Sequence, residues 1–179
     1  KTVENGCSRN MLLNMIESSL YYREGASINN FSSCLPASQS SLAQELTKDP
    51  YNFDFLTLRD GYLERELEDA LTDNITKFLI ELGNGFAYVG RQVRLEVGGD
   101  EFFIDLLFYH LKLRSYVVIE LKTGDFQPEY IGKLGFYVSA INHEMKLPQD
   151  NPTIGLLICK SKNNIVARYT LDTANLPIG

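Results

Sequence analysis

Phe102-Phe103-Ile104-Asp105-Leu106-Leu107-Phe108, followed by Tyr116-Val117-Val118-Ile119-Glu120-Leu121-Lys122, carries the pattern that decides the fold. Both runs are short, rich in aromatic and β-branched residues and bounded by polar segments, which predicts two strands. A core strand does not take an ionised carboxylate without a compensating partner, yet Asp105 and Glu120 interrupt these runs. Residues two apart on a strand share a face, so Glu120 and Lys122 point together. If Asp105 pairs alongside Glu120, two carboxylates and an ammonium meet at one spot on the sheet. That combination suits a divalent cation beside an anionic substrate.

Working outward, Gly98-Gly99-Asp100 predicts a hairpin between strands over 86–97 and 101–109. A third strand covers 116–122. Before them, Leu63, Leu67, Leu71, Ile75, Phe78, Leu79 and Leu82 form one stripe of a long helix over 62–82, stopped by Gly83. Helical phase places Glu68 on the flank facing the body of the protein and Glu66 opposite the stripe. Glu64 is on the apolar side, but in the first turn, where a glutamate commonly complements the helix dipole. After the third strand, Pro128 opens a helix reaching 142. Strands are expected over 153–159 and 165–170, with Lys162-Asn163-Asn164 turning between them. Near the start, a helix is expected over 8–22, capped by Ser8 and striped by Met11, Leu12, Met15, Ile16 and Leu20. A polar stretch then runs over 24–33, and a short helix over 39–47 ends at Asp49-Pro50. The aromatic segment 51–56 reads as a packed linker. The order predicts an α/β domain with a mixed central sheet.

The 179 residues suffice for one domain and an appendage, and their hydrophobic share of 44% is that of a soluble globular protein. No apolar run approaches the ~18 residues of a membrane span. The start is polar, without a signal peptide or an initiator Met, so an upstream part is expected to be missing. Cys7, Cys34 and Cys159 form no CxxC pair, which predicts reduced thiols in a cytoplasmic protein. The net charge of −6 argues against broad, non-specific nucleic-acid affinity. A local basic strip remains available from Arg91, Arg94, Lys112, Arg114, Lys122 and Lys133.

Asp105, Glu120 and Lys122 fit metal-dependent phosphodiester hydrolysis. Hard cations such as Mg2+ or Mn2+ take oxygen ligands, here the two carboxylates and the Leu121 backbone carbonyl. Lys122 would orient a water or offset charge on the phosphate, and Glu68 could complete the shell. The competing reading is a structural ion pair at a strand end. Glu144-Met145-Lys146 repeats the Glu-x-Lys spacing, but it follows a helix and reads as solvated loop. His110 and His143 lack metal-ligand spacing, and the chain has no GxSxG elbow or phosphate-binding glycine loop.

With these residues in place, the chain resembles the PD-(D/E)XK nuclease superfamily, whose αβββαβ core carries an Asp on a hairpin strand and Glu-x-Lys on the next. Ile104 stands before Asp105 where the superfamily has Pro. The Gln-x-x-x-Tyr of the RecB-like branch is matched by Lys133-Leu134-Gly135-Phe136-Tyr137, with Lys in place of Gln. The chain is more closely similar to the YhcG-like family of bacterial proteins. The similarity lies in 78–86, 104–109, 118–124 and 128–130, and in Lys48-Asp49-Pro50-Tyr51-Asn52-Phe53-Asp54-Phe55-Leu56. The resemblance implies that residues 1–58 are the remnant of an upstream helical domain with its linker and that 59–179 form the nuclease domain. It implies a Mg2+- or Mn2+-dependent endo- or exonuclease acting on DNA in the bacterial cytoplasm, in repair, restriction or defence. Asp105, Glu120, Lys122 and Glu68 would be its catalytic residues, Lys133, Tyr137 and Gln92 auxiliary residues toward nucleic acid, and a homodimer its assembly. The alternative is a nuclease fold used as a nucleic-acid-binding or assembly module with little catalysis.

Overall fold

The computed structural model describes residues 9–179. Cys7 and Ser8 lie outside the described residues, as does the side chain of Met11. In chain order the described residues form α1 (Arg9–Glu17), α2 (Leu20–Arg23), α3 (Phe31–Cys34), α4 (Ala37–Leu46), α5 (Glu64–Asp73), α6 (Ile75–Leu82), β1 (Phe86–Val97), β2 (Asp100–His110), β3 (Ser115–Leu121), α7 (Glu129–Glu144), β4 (Ile154–Ile158) and α8 (Asn164–Asp172).

The sheet has the order β1-β2-β3-β4. β1 and β2 are antiparallel, and Val97 faces Asp100 across Gly98 and Gly99. Those glycines have φ of 63° and 91°, the left-handed pair that a two-residue turn needs to match strand twist. β3 continues antiparallel to β2, while β4 runs parallel to β3. A parallel neighbour requires a crossover, and α7 supplies it.

Alternation along the strands gives the sheet two apolar faces. Leu106, Phe108, Val117, Ile119 and Leu156 pack with Leu67 and Leu71 of α5 and with Phe78 and Leu82 of α6. Leu107 and Val118 pack with Leu134, Val138 and Ile141 of α7. Asp105 and Glu120 share strand parity with Leu107 and Val118, which directs them to the α7 face. Gly85, at φ 100°, turns the chain into β1; a Cβ there would stand 2.7 Å from Nε2 of the fully buried His110. His110 is a structural residue: it accepts the Leu113 N–H at Nδ1, and burial lowers its pKa.

Three expectations are corrected. The helix expected over 62–82 is two helices meeting at Asn74, whose amide donates to Ala70 O at 3.0 Å and competes with the helical ladder. The strand expected over 165–170 is α8: the Asn163 side chain accepts from the Ile165 and Val166 N–H groups, and Ala167 and Leu171 are buried at helical spacing. The first expected helix divides into α1 and α2 around Ser19, at φ 52°.

Phe31, Leu35, Ala43 and Leu46 join the same apolar cluster as α5 and α6, so the N-terminal helices share the core. Polar contacts reinforce that joint. The Asn30 side chain accepts from Ile178 N and donates to Leu176 O, at 2.8 and 2.9 Å. Lys48 is buried and donates to Leu82 O at 2.7 Å, at the end of α6; burial brings its pKa down to about 8. Arg23 donates to Ser18 O and Pro50 O and pairs with Glu81 at 2.6 Å, the two side chains being 9% and 11% exposed. Glu81 Oε1 also accepts the Asn52 N–H.

Removing one partner of such a pair strands a buried charge. Arg23→Ala is expected to cost about 3–5 kcal/mol in urea denaturation, with the double variant Arg23→Met/Glu81→Leu recovering part of that loss.

Candidate active site

The ends of β2 and β3 place the carboxylates. The register reaches Leu106–Ile119, and one further step sets Asp105 across from Glu120. The Leu121 N–H donates to Asp105 Oδ2 at 2.9 Å and fixes that carboxylate against β3. Glu120 is 0% exposed. Its Oε1 takes two ammonium groups, Lys133 Nζ at 2.5 Å from α7 and Lys122 Nζ at 3.2 Å. Its Oε2 is buried and has no hydrogen-bond partner.

Lys122 also donates to Glu64 Oε2 at 2.9 Å and stands 5.4 Å from the Tyr130 ring centroid. Burial alone would lower its pKa, but the bonds to Glu64 and Glu120 prevail and raise it, so the ammonium stays charged. The same balance holds for Lys133, which lies 5.4 Å from the Tyr137 ring. Glu68, buried on α5, accepts from Gln92 Nε2 at 2.5 Å, and that nitrogen is 3.5 Å from Asp105 Oδ1. Gln92 has φ 44°, a left-handed conformation that is uncommon for a residue with a Cβ and that clusters at functional sites.

The structure thus brings Asp105, Glu120, Lys122, Lys133, Tyr137 and Gln92 into one neighbourhood, with Glu68 reaching it through Gln92. Glu66 stays exposed and accepts the Leu63 N–H at 2.7 Å, a use at the helix start that keeps it from the sheet. Glu64 is the residue that sequence reasoning set aside: its dipole role was sufficient locally, yet its carboxylate holds Lys122. The signal was its place on the apolar side of the helix. Glu144-Met145-Lys146 lies at the end of α7, away from these contacts.

Among the described residues no cluster of three or more His, Cys, Asp or Glu forms a ready-made cage. The donor set still fits a hard divalent cation, which commonly keeps several waters and takes one or two carboxylates plus substrate oxygens. Glu120 offers a buried oxygen with nothing bound to it. Asp105 is short of positive charge: burial first, then the Glu120 charge, push its pKa up to about 6.

An α/β fold of this topology, with Asp on the hairpin strand and Glu-x-Lys on the next, defines a nuclease-like domain of the PD-(D/E)XK type. The chain belongs to the family described as the YhcG PDDEXK nuclease domain, whose model matches residues 44–179. It is 39% identical over 142 residues to the Escherichia coli K12 protein described as "Putative nuclease YhcG". That match covers 79% of this chain and 37% of the relative, so the chain spans little more than a third of that relative's length. Among solved structures, a repair endonuclease from Pyrococcus abyssi matches 68% of this chain and 48% of its own at 18% identity and a TM-score of 0.45. EndoMS in a complex with double-stranded DNA matches 71% and 47% at 20% identity and a TM-score of 0.48. No described helix is long and apolar enough to cross a membrane.

In the absence of divalent ions, Asp105 gives the site a pH signature. An unfolded aspartate titrates near 3.8 and the folded one near 6. Between those values the folded chain holds a proton that the unfolded chain has released, so folding stability falls as pH rises through the window. Urea denaturation in EDTA should show the wild type losing stability relative to Asp105→Asn from about pH 4 to about pH 6, with the difference constant above about pH 7. Parallel profiles would contradict this charge balance.

Proposed function

We propose that the chain is the catalytic part of a metal-dependent nuclease that hydrolyses phosphodiester bonds in DNA. The observation that carries the reading is Glu120 Oε2, a buried carboxylate oxygen with no partner, on a side chain whose charge acts on Asp105 and whose other oxygen is paired with Lys122. Asp105, Glu120 and the Leu121 carbonyl would hold Mg2+ or Mn2+. When bound, such an ion supplies Lewis acidity toward the phosphate and toward water.

The chain's own residues do the rest. Lys122, positioned by Glu64 and Glu120, donates to a phosphate oxygen or to the attacking water and offsets the charge that grows as the bond breaks. Gln92 ties Glu68 to Asp105 and keeps the Asp105 carboxylate oriented. Lys133 and Tyr137 flank Glu120 on α7, where the ammonium compensates its buried charge and, being 46% exposed, remains accessible to a phosphate of the strand. Residues 1–58 serve as the end of an upstream helical domain and 59–179 as the nuclease unit. The whole protein acts in the bacterial cytoplasm as a homodimer, in repair, restriction or defence.

Incubation with single- and double-stranded DNA and RNA in Mg2+ or Mn2+ tests the activity and its substrate. Lys122→Ala is expected to lower the cleavage rate by about 10² to 10³ while calorimetric Mn2+ binding persists. Asp105→Ala and Glu120→Gln should lose both. Mn2+ binding in a wild type that cleaves none of the substrates would favour a binding or assembly module on the nuclease fold.

A further inference from the structure

At the carboxyl ends of the parallel strands β3 and β4, the chain leaves the sheet along two segments that stay side by side. Lys122 N–H donates to Ile158 O at 2.8 Å, Lys160 N–H to Gly124 O at 3.0 Å, and Phe126 N–H to Ser161 O at 2.8 Å. Crevices outside the carboxyl ends of parallel strands are where open α/β sheets receive ligands. Between this ledge and the segment 47–62 lies a cavity of about 310 Å3, near the lower end of the ~300–1,000 Å3 typical of small-molecule sites. Lys122 stands in its wall, so the cavity and the candidate active site share a residue.

The wall combines three further features. Tyr51, Phe53, Tyr62 and Phe126 give it aromatic surface. Ser27 contributes a buried hydroxyl with no hydrogen-bond partner. Four lysines, Lys48, Lys122, Lys160 and Lys162, line the cavity against one side-chain carboxylate, Asp49, although the net charge of the chain is −6. Lys162 is neutralised by Asp49 at 2.5 Å, Lys122 is paired with Glu64 and Glu120, and Lys48 is engaged with Leu82 O. Lys160 is exposed, and its ammonium has no partner among the described residues. Aromatic faces for a π-surface, a free ammonium for an anion and an unused hydroxyl together match a nucleotide.

We propose that this cavity is a nucleotide subsite that takes one nucleoside 5′-monophosphate unit, its base against the aromatic wall and its phosphate at Lys160. Assignment of that unit to the strand being cut rests on the nuclease reading; occupancy by a nucleotide does not. A nucleotide seated here has left the duplex stack, which costs least for an unpaired or terminal residue. The subsite therefore selects strands with frayed, flapped or single-stranded nucleotides beside the scissile bond.

Titration calorimetry with dAMP in EDTA tests the binding without any need for cleavage. Saturable binding of one dAMP per chain is expected. Lys160→Glu should weaken it at least about tenfold with an unchanged melting temperature, since the side chain is exposed. Ser27→Leu, which fills the cavity from the opposite wall, should weaken it as well. No saturable binding up to about 10 mM, or equal binding by wild type and Lys160→Glu, would overturn the subsite. A second arm identifies the source of the nucleotide. If dAMP displaces a fluorescent single-stranded oligonucleotide, the unit belongs to the strand. If dAMP binds while the oligonucleotide stays, the cavity takes a free nucleotide and the strand assignment falls. Because the first arm omits metal, a protein that fails to cleave still reports on the subsite.

Discussion

The buried charge of Glu120 is the constraint on which the architecture around the site depends. An ionised carboxylate inside a core strand is tolerated only where opposite charge reaches it. Lys122 supplies one ammonium from the end of the same strand, and Lys133 supplies the other from α7. The crossover helix must therefore lie over β3 with Lys133 directed at the sheet. Lys122 in turn is held by Glu64 at the first turn of α5, from the other helical layer. One carboxylate thus draws together the sheet and both layers that cover it. Since both lysines share Oε1, the second oxygen is left without a bond inside a site that is otherwise tightly paired.

Elsewhere three buried polar side chains find partners. Arg23 meets Glu81 and two backbone carbonyls, Lys48 meets the end of α6, and Asn30 bridges to residues near Ile178. These contacts join the N-terminal helices to the α/β core and give that joint a specific geometry. The contrast is informative. Satisfied networks fix the arrangement of elements, whereas the incompletely satisfied one, around Glu120 and Asp105, is where a ligand has something to add.

Much of this was legible in the sequence because the signals were local. Strand spans followed from apolar runs and the Gly98-Gly99 turn. Asp105 and Glu120 stood out as carboxylates inside such runs, and helical phase separated Glu68 from Glu66. What stayed hidden depended on competition or on tertiary partners. Ile165-Val166 has the β-branched look of a strand, but Asn163 caps the next N–H groups and the helix prevails. Asn74 ends α5 through a side-chain bond that the apolar stripe does not reveal. The short helices α2 and α3 are set by Arg23 and Phe31, which are buried against partners far along the chain. The left-handed backbone of Gln92 has no sequence signature, because glutamine is not a residue that prefers it.

That irregularity reaches beyond the geometry of the carboxylates. β1 is an outer strand, and a long, flat outer strand invites another chain to add to it and seed aggregation. Here the pairing slips at a bulge between Tyr88 and Gly90, and the backbone turns left-handed at Gln92. Arg91 and Arg94 add charge along the same stretch, paired with Asp69, Glu96 and Glu101. A regular run of free N–H and C=O groups is thereby broken near its middle. The backbone distortion that directs an amide to Glu68 and Asp105 also denies a foreign strand a continuous template, so chemistry and colloidal safety are served by the same few residues.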